Sequence, residues 1–295
     1  MNSKRIFFDK ELNQSFWEKG FVKFSLLDEN EINTLNRFYI EQIDRPQKTR
    51  TEALLHATNM TYDKELKEKV FRFIKQSLGD VLKKHFVDFQ YVTLNYIVKE
   101  PSADSYVPPH MDWTYVDETQ FTSFNVWICL EDSDHNNGNM QFLPGSHLFK
   151  DYIRVNPWQP FYFNDYLDKV AQLMIDVPTK KGECLVFHNS LIHGSSKNTS
   201  NHARVTCLAT LCPKEADLVH YYWRKDLAKD KVEKYSITTK SLIEMKKDSR
   251  PPHAKFEGYV DYNMKEVPYA EFVKLTKKST SIAQRFRNKM FSFFK

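Results

Sequence analysis

The chain has 295 residues, of which 41% are hydrophobic and 15% aromatic, enough to build a sizeable core and inconsistent with a disordered, fibrous or repeat protein. Its formal charge is +5, yet seven Lys and Arg and no acid fall within residues 274–295, so the rest is close to neutral, which excludes a nucleic-acid-binding face spread over the body of the chain. No stretch is long and apolar enough to span a membrane, the first residues (MNSKRIFFDKEL) lack an apolar signal region, and Cys129, Cys184, Cys207 and Cys212 form no CxxC pair; the expectation is a cytoplasmic protein with reduced core thiols.

In chain order, residues 9–19 read as a helix stopped by Gly20, and FVKFSLL then alternates as a short strand. Asp28 with Glu31 three residues on forms a capping box that opens a helix to about Gln42, with Ile32, Leu35, Phe38 and Tyr39 on one stripe. A further helix is expected from Asp63 to Lys84. From about Phe86 the pattern turns to short β-branched and aromatic runs, FQYVTLNYIV, FTSFNVWICL, NMQFL, CLVFH and HARVTCLATL, as in an antiparallel sandwich or barrel. Gly138, Gly145, Gly182 and Gly194 fall at the turns between them.

Between Leu148 and Asp168 lies an aromatic-rich segment that fits either a lid over a pocket or a packed loop. After Tyr222 the chain is Lys-rich and expected to be helical or irregular. At the end, Ile282, Phe286, Met290, Phe293 and Phe294 recur at helical spacing with Arg285, Arg287 and Lys289 between them. Such a helix can lie on an anionic membrane surface or an acidic partner, dock on its own domain or on another subunit, or fray.

The segment with the most chemistry is His110-Met111-Asp112. Pro108-Pro109 keeps its approach extended, so His110 and Asp112 project to one side and Met111 to the other. One more histidine would complete two imidazoles and a carboxylate on one face of an octahedron, a set that suits ferrous iron and leaves positions open. His188, His193 and His202 compete for that place; His193 leads on spacing, His188 fits a core or supporting histidine, and His202 fits the surface. Arg204 shares a strand face with Thr206, Leu208 and Thr210, and a charge in so apolar a strand needs a partner. That partner is either an internal acid or the carboxylate of a bound cosubstrate.

The succession of HMD, VWICLED, NNGNMQFLPGSH and KKGECLVFHNSLIHGSSKN with Arg204, preceded by GFVKFSLLDENEI, resembles the phytanoyl-CoA dioxygenase family of Fe(II)- and 2-oxoglutarate-dependent oxygenases over roughly residues 12–222. The resemblance implies an α+β chain, mainly β in its core: a double-stranded β-helix, or jelly roll, with flanking helices. It implies one oxygenase domain over 1–295, with a helical part at 1–84, the core at 85–225 and an extension at 226–295. It further implies iron held by His110, Asp112 and His193, and O2 and 2-oxoglutarate as cosubstrates. Arg204 and Ser195 would take the distal carboxylate of 2-oxoglutarate, Trp127 would line its pocket, and Thr93 and Asn95 would reach its keto-acid end.

Relatives that carry a glutamine shortly before the first histidine differ from this chain, which has Tyr106-Val107-Pro108-Pro109 there. Related halogenases replace the carboxylate ligand by a small residue, so Asp112 points to hydroxylation of a small-molecule C–H bond. Trp113, Tyr115, Gln141, Arg154, Trp158, Tyr221 and Tyr222 are candidates for the substrate wall. Two rivals remain: a non-catalytic jelly-roll module, and a jelly-roll metalloenzyme that does not use 2-oxoglutarate. The intact ligand set disfavours the first, and Arg204 with the HGSS turn disfavours the second.

Overall fold

A computed structural model describes residues 5–43, 55–149, 153–157, 161–224, 230–262 and 266–276. The N-terminal part alternates helix and strand: α1 (Lys10–Lys19), β1 (Phe21–Ser25), α2 (Glu29–Gln42), β2 (Leu55–Ala57) and α3 (Lys64–His85). The caps explain these boundaries. Asp9, Asp28 and Asp63 each accept backbone N–H groups of the first turn, and Asp28 with Glu31 forms the expected capping box. Gly20 ends α1 at φ 84°, and a Cβ there would lie 2.5 Å from His147 Nδ1, so both conformation and space require glycine.

The β-rich part follows: β3 (Phe89–Lys99), β4 (Val107–His110), β5 (Phe124–Cys129), β6 (Met140–Phe142), α4 (Leu167–Ala171), β7 (Ile175–Val177), β8 (Glu183–His188), β9 (His193–Ser195) and β10 (Arg204–Pro213). Two antiparallel sheets result, one in the order β1-β8-β5-β10-β3-β2 and one in the order β4-β9-β6-β7. They form the jelly-roll core, with α1, α2 and α3 on the outside of the larger sheet.

Alternation along the strands gives that sheet two unlike faces. Leu94, Tyr96, Val126, Ile128, Val186, Cys207 and Ala209 pack with Phe16, Leu35, Ile74 and Leu78 of the three helices in one large apolar cluster. The opposite face carries Thr93 and Asn95 across from Thr210 and Leu208, which in turn lie across from Asn125 and Trp127. Trp127, Leu185 and Phe187 of this face meet Met140 and Phe142 of the smaller sheet, closing the sandwich around a cavity.

The C-terminal segment differs from the helical or irregular expectation. β11 (Val219–Tyr222), β12 (Lys231–Ser236) and β13 (Lys255–Asp261) form a third antiparallel sheet, with the short helix α5 (Thr239–Glu244) inserted. Only part of this sheet is buried, and Lys231, Lys234 and Lys255 occupy its wetter positions, so no clean apolar alternation marks it in the sequence. The four cysteines are free and buried. Among the described residues no helix is long and apolar enough to cross a membrane. The amphipathic repeat over 282–294 lies outside the described residues.

Candidate metal and cosubstrate site

β4 and β9 are neighbours in the smaller sheet, and their register sets His110 directly opposite His193. Asp112 follows β4 by two residues and returns to the same side, while Met111 turns away into a cluster with Ile192, Phe163 and Phe272. One ligand atom from each of His110, Asp112 and His193 lies within 4.8 Å of the others, a separation that one cation can bridge. His193 Nε2 stands 3.7 Å from Asp112 Oδ2.

The orientation of both rings is fixed from behind. His110 Nδ1 is 2.9 Å from Pro108 O, and His193 Nδ1 is 2.9 Å from Leu191 O, so in each ring Nδ1 carries the proton and Nε2 keeps its lone pair for a ligand bond. Burial and the adjacent His193 push His110 down to about 4 against the pull of Asp112, which favours the neutral imidazole that binds metals.

Asp112 is held by groups that no local motif reveals. Asn125 Nδ2 donates to Asp112 Oδ2 at 2.5 Å, Thr210 Oγ1 donates to Asn125 Oδ1 at 2.7 Å, and Thr93 Oγ1 donates to Thr210 Oγ1 at 2.9 Å. This relay runs across three neighbouring strands and leaves the second carboxylate oxygen uncommitted. Arg154 secures the backbone: its Nε donates to Asp112 O at 2.5 Å while Nη1 and Nη2 grip both carboxylate oxygens of Glu118.

The ligand atoms face a cavity of about 190 Å³ between the two sheets. Thr93, Asn95, Trp127, Ser195 and Arg204 all line it, together with the metal cluster. Arg204 is only 1% exposed, and its guanidinium lies 5.1 Å from the centre of the Trp127 ring. Its Nε and Nη1 have no hydrogen-bond partner. No acid of the described residues forms an ion pair with it, and burial pulls its pKa down to about 10. A guanidinium held in this way lacks the carboxylate that its burial calls for. Asn95 is buried too, and neither atom of its amide has a partner.

The other candidate residues separate clearly. Trp113 and Tyr115 line the cavity. Arg154 is absorbed by Glu118, Gln141 Nε2 donates to Asp176, Tyr221 packs with Val155, Val219 and Val232, and the Tyr222 ring lies under Arg250; none of these four lines the cavity. Trp158 is outside the described residues. His188 is buried beside His147, with Nδ1 on Ser190, and burial holds it well below its ordinary pKa; it is a core histidine. His202 is exposed and lies 2.9 Å from Glu131; the strand itself begins at Arg204.

One expectation is corrected here, and one choice between alternatives is narrowed. Gly194 does not make a turn: it lies in β9, where a Cβ would sit 2.6 Å from Val107 O, so close approach of β4 and not positive φ requires glycine. None of the described residues of 148–168 lines the cavity; Phe149, Tyr162 and Phe163 pack instead behind Met111, so these described residues follow the packed-loop alternative. The edge of the cavity is built by Leu55, Ala57, Asn59 and Met60, a segment with no signal in the sequence beyond its three-residue strand.

Two histidines and a carboxylate that could hold a metal ion, with a buried arginine in the same cavity, stand here on a double-stranded β-helix. The chain belongs to the phytanoyl-CoA dioxygenase (PhyH) family, whose model matches residues 19–206. It is 32% identical over 117 residues to phytanoyl-CoA dioxygenase domain-containing protein 1 of Danio rerio, covering 37% of this chain and 40% of that protein. It is 33% identical over 116 residues to phytanoyl-CoA dioxygenase of Arabidopsis thaliana, covering 37% and 39% respectively. These matches span about 40% of the relatives' length. The crystal structure of EvdO2 from Micromonospora carbonacea var. aurantiaca complexed with 2-oxoglutarate shares the fold, with a TM-score of 0.50 at 14% identity over 70% of this chain and 91% of that one.

Proposed function

We propose that this protein is an Fe(II)- and 2-oxoglutarate-dependent dioxygenase that hydroxylates an aliphatic C–H bond of a small molecule. The observation that carries this reading is the pairing, in one cavity, of the His110, Asp112 and His193 cluster with a buried Arg204 whose Nε and Nη1 have no partner. The cluster fits a divalent iron and the arginine fits a carboxylate, and 2-oxoglutarate offers both a keto acid for the metal and a distal carboxylate.

In this assignment His110, Asp112 and His193 hold the iron, the relay from Thr93 through Asn125 fixes the Asp112 carboxylate, and Arg204 with Ser195 takes the distal carboxylate. Trp127 packs beside the guanidinium and keeps water from it. Asn95 offers its amide to the cosubstrate, whereas Thr93 spends its hydroxyl proton on Thr210 and acts through the relay. The chemistry supplied when iron, 2-oxoglutarate and O2 are bound is oxidation of a C–H bond to C–OH, coupled to decarboxylation of 2-oxoglutarate to succinate and CO2. Asp112 fills the place that a halide would need, so hydroxyl is the group transferred.

The test is anaerobic addition of Fe(II) and 2-oxoglutarate, read by the visible charge-transfer band of the chelated complex. Wild type shows the band, and Arg204→Ala and His193→Ala lose most of it. A wild type without the band, or variants that keep it undiminished, would overturn the reading.

A further inference from the structure

We propose that the outer part of this cavity receives an uncharged, mostly apolar molecule bearing one hydroxyl or amide that Asn59 recognises. The inference deepens the dioxygenase reading of the same site and rests on it.

Charge is the first argument. Among the described residues that line the cavity, the only Asp, Glu, His, Lys or Arg side chains are His110, Asp112, His193 and Arg204. Three are committed to the metal and the fourth to the cosubstrate. A second anion would meet no unused cation among the described lining residues, and an ammonium group no unused acid, so burying either against them would leave a charge uncompensated.

The remaining surface is apolar. Leu55, Met60, Ile97, Val107, Tyr115 and Leu208 give the cavity a hydrocarbon and aromatic lining. On the edge made by β2 and the turn after it, Asn59 is the polar side chain among Leu55, Ala57 and Met60. Thr58 fixes this turn by accepting the backbone N–H of Tyr96 at 3.0 Å. The Oδ1 atom of Asn59 is buried without a hydrogen-bond partner, and the residue stands between this cavity and a smaller pocket beside Lys67 and Leu242. A polar group left over in an apolar wall discriminates between ligands, because one that matches it recovers a hydrogen bond and one that does not leaves it orphaned. A hydroxyl or amide can match either end of the Asn59 side chain, since each both donates and accepts.

The experiment uses the full chain loaded anaerobically with Fe(II) and 2-oxoglutarate and titrated calorimetrically with four probes of one shape: cyclohexanol, methylcyclohexane, cyclohexanecarboxylate and cyclohexylammonium. Cyclohexanol is expected to bind at least roughly tenfold more tightly than either ion. Asn59→Leu is expected to weaken cyclohexanol by about tenfold while leaving methylcyclohexane unchanged or tighter. The isosteric Asn59→Asp should move the preference to cyclohexylammonium, and it keeps the test informative where the leucine variant fails to fold. The carboxylate or ammonium probe binding wild type as tightly as the alcohol, an alcohol affinity indifferent to Asn59→Leu, or no binding by any probe overturns the proposal. The charge-transfer band separates the two readings: with the band present these outcomes remove only the substrate inference, and without it the dioxygenase reading falls first.

Discussion

Arg154 and Arg204 are equally buried, and their surroundings could hardly differ more. Arg154 gives Nε to Asp112 O and both terminal nitrogens to Glu118, so its charge is matched inside the protein. Arg204 stacks beside Trp127 with two nitrogens unpartnered and no acid in contact. The first is a structural clamp that holds the loop of Asp112; the second is, in the proposed reading, the group that would take a carboxylate. Burial alone does not mark a functional arginine, and the lack of an internal counter-charge does.

The sharpest way to break this contrast is Arg154→Met. It strands the Glu118 carboxylate, and the expected cost is about 3–5 kcal/mol of unfolding free energy, measured by denaturant titration. Arg204→Met should behave in the opposite way. It removes an unpaired buried charge, so stability stays level or rises, while 2-oxoglutarate affinity falls by about 2–5 kcal/mol in calorimetry. Equal destabilisation by both changes would show that Arg204 is a clamp as well.

Asn125→Ala probes the relay behind Asp112. Metal affinity, followed by chelator competition, should fall roughly 10–100-fold with little change in the circular dichroism spectrum. Unchanged affinity would mean that Asp112 is positioned by its backbone contacts alone.

The smallest effect per site concerns buried bases with no acid beside them. Burial lowers His147 and His220 to about 4 and places His188 well below its ordinary value. Each is neutral in the folded protein while the unfolded chain takes up a proton near 6.5, so stability is full above that pH and declines as the pH falls toward 4. The slope should approach about 1.4 kcal/mol per pH unit for each histidine, and His147→Gln should remove one such increment.

Much of the site was legible because its signals are local. The alternation rule set His110 and Asp112 on one side, and Pro108-Pro109 marked the approach as extended. The second helix was legible from Asp28 and Glu31 for the same reason, since a cap and its target lie within one turn. What stayed hidden depends on partners far apart in the chain. Glu118 meets Arg154 across 36 positions, and Thr210 meets Asn125 across 85. Neither pair leaves a spacing to detect. The sheet of β11, β12 and β13 was hidden for another reason: its Lys-rich strands lie largely in water and lack the apolar period that announces a strand. Gly194 was noticed for the wrong property, because a backbone contact from another strand is invisible in a single sequence.

The cavity also has a direction. Along its lining, exposure runs from Arg204 at 1% and His193 at 4% to Met60 at 48%. A recess nested in this way fills from the bottom up. In the proposed reading, a molecule resting at the rim would stand across the path to Arg204, so whatever the arginine holds would arrive first and leave last. The depth of one side chain thus imposes a queue on the molecules that the site receives.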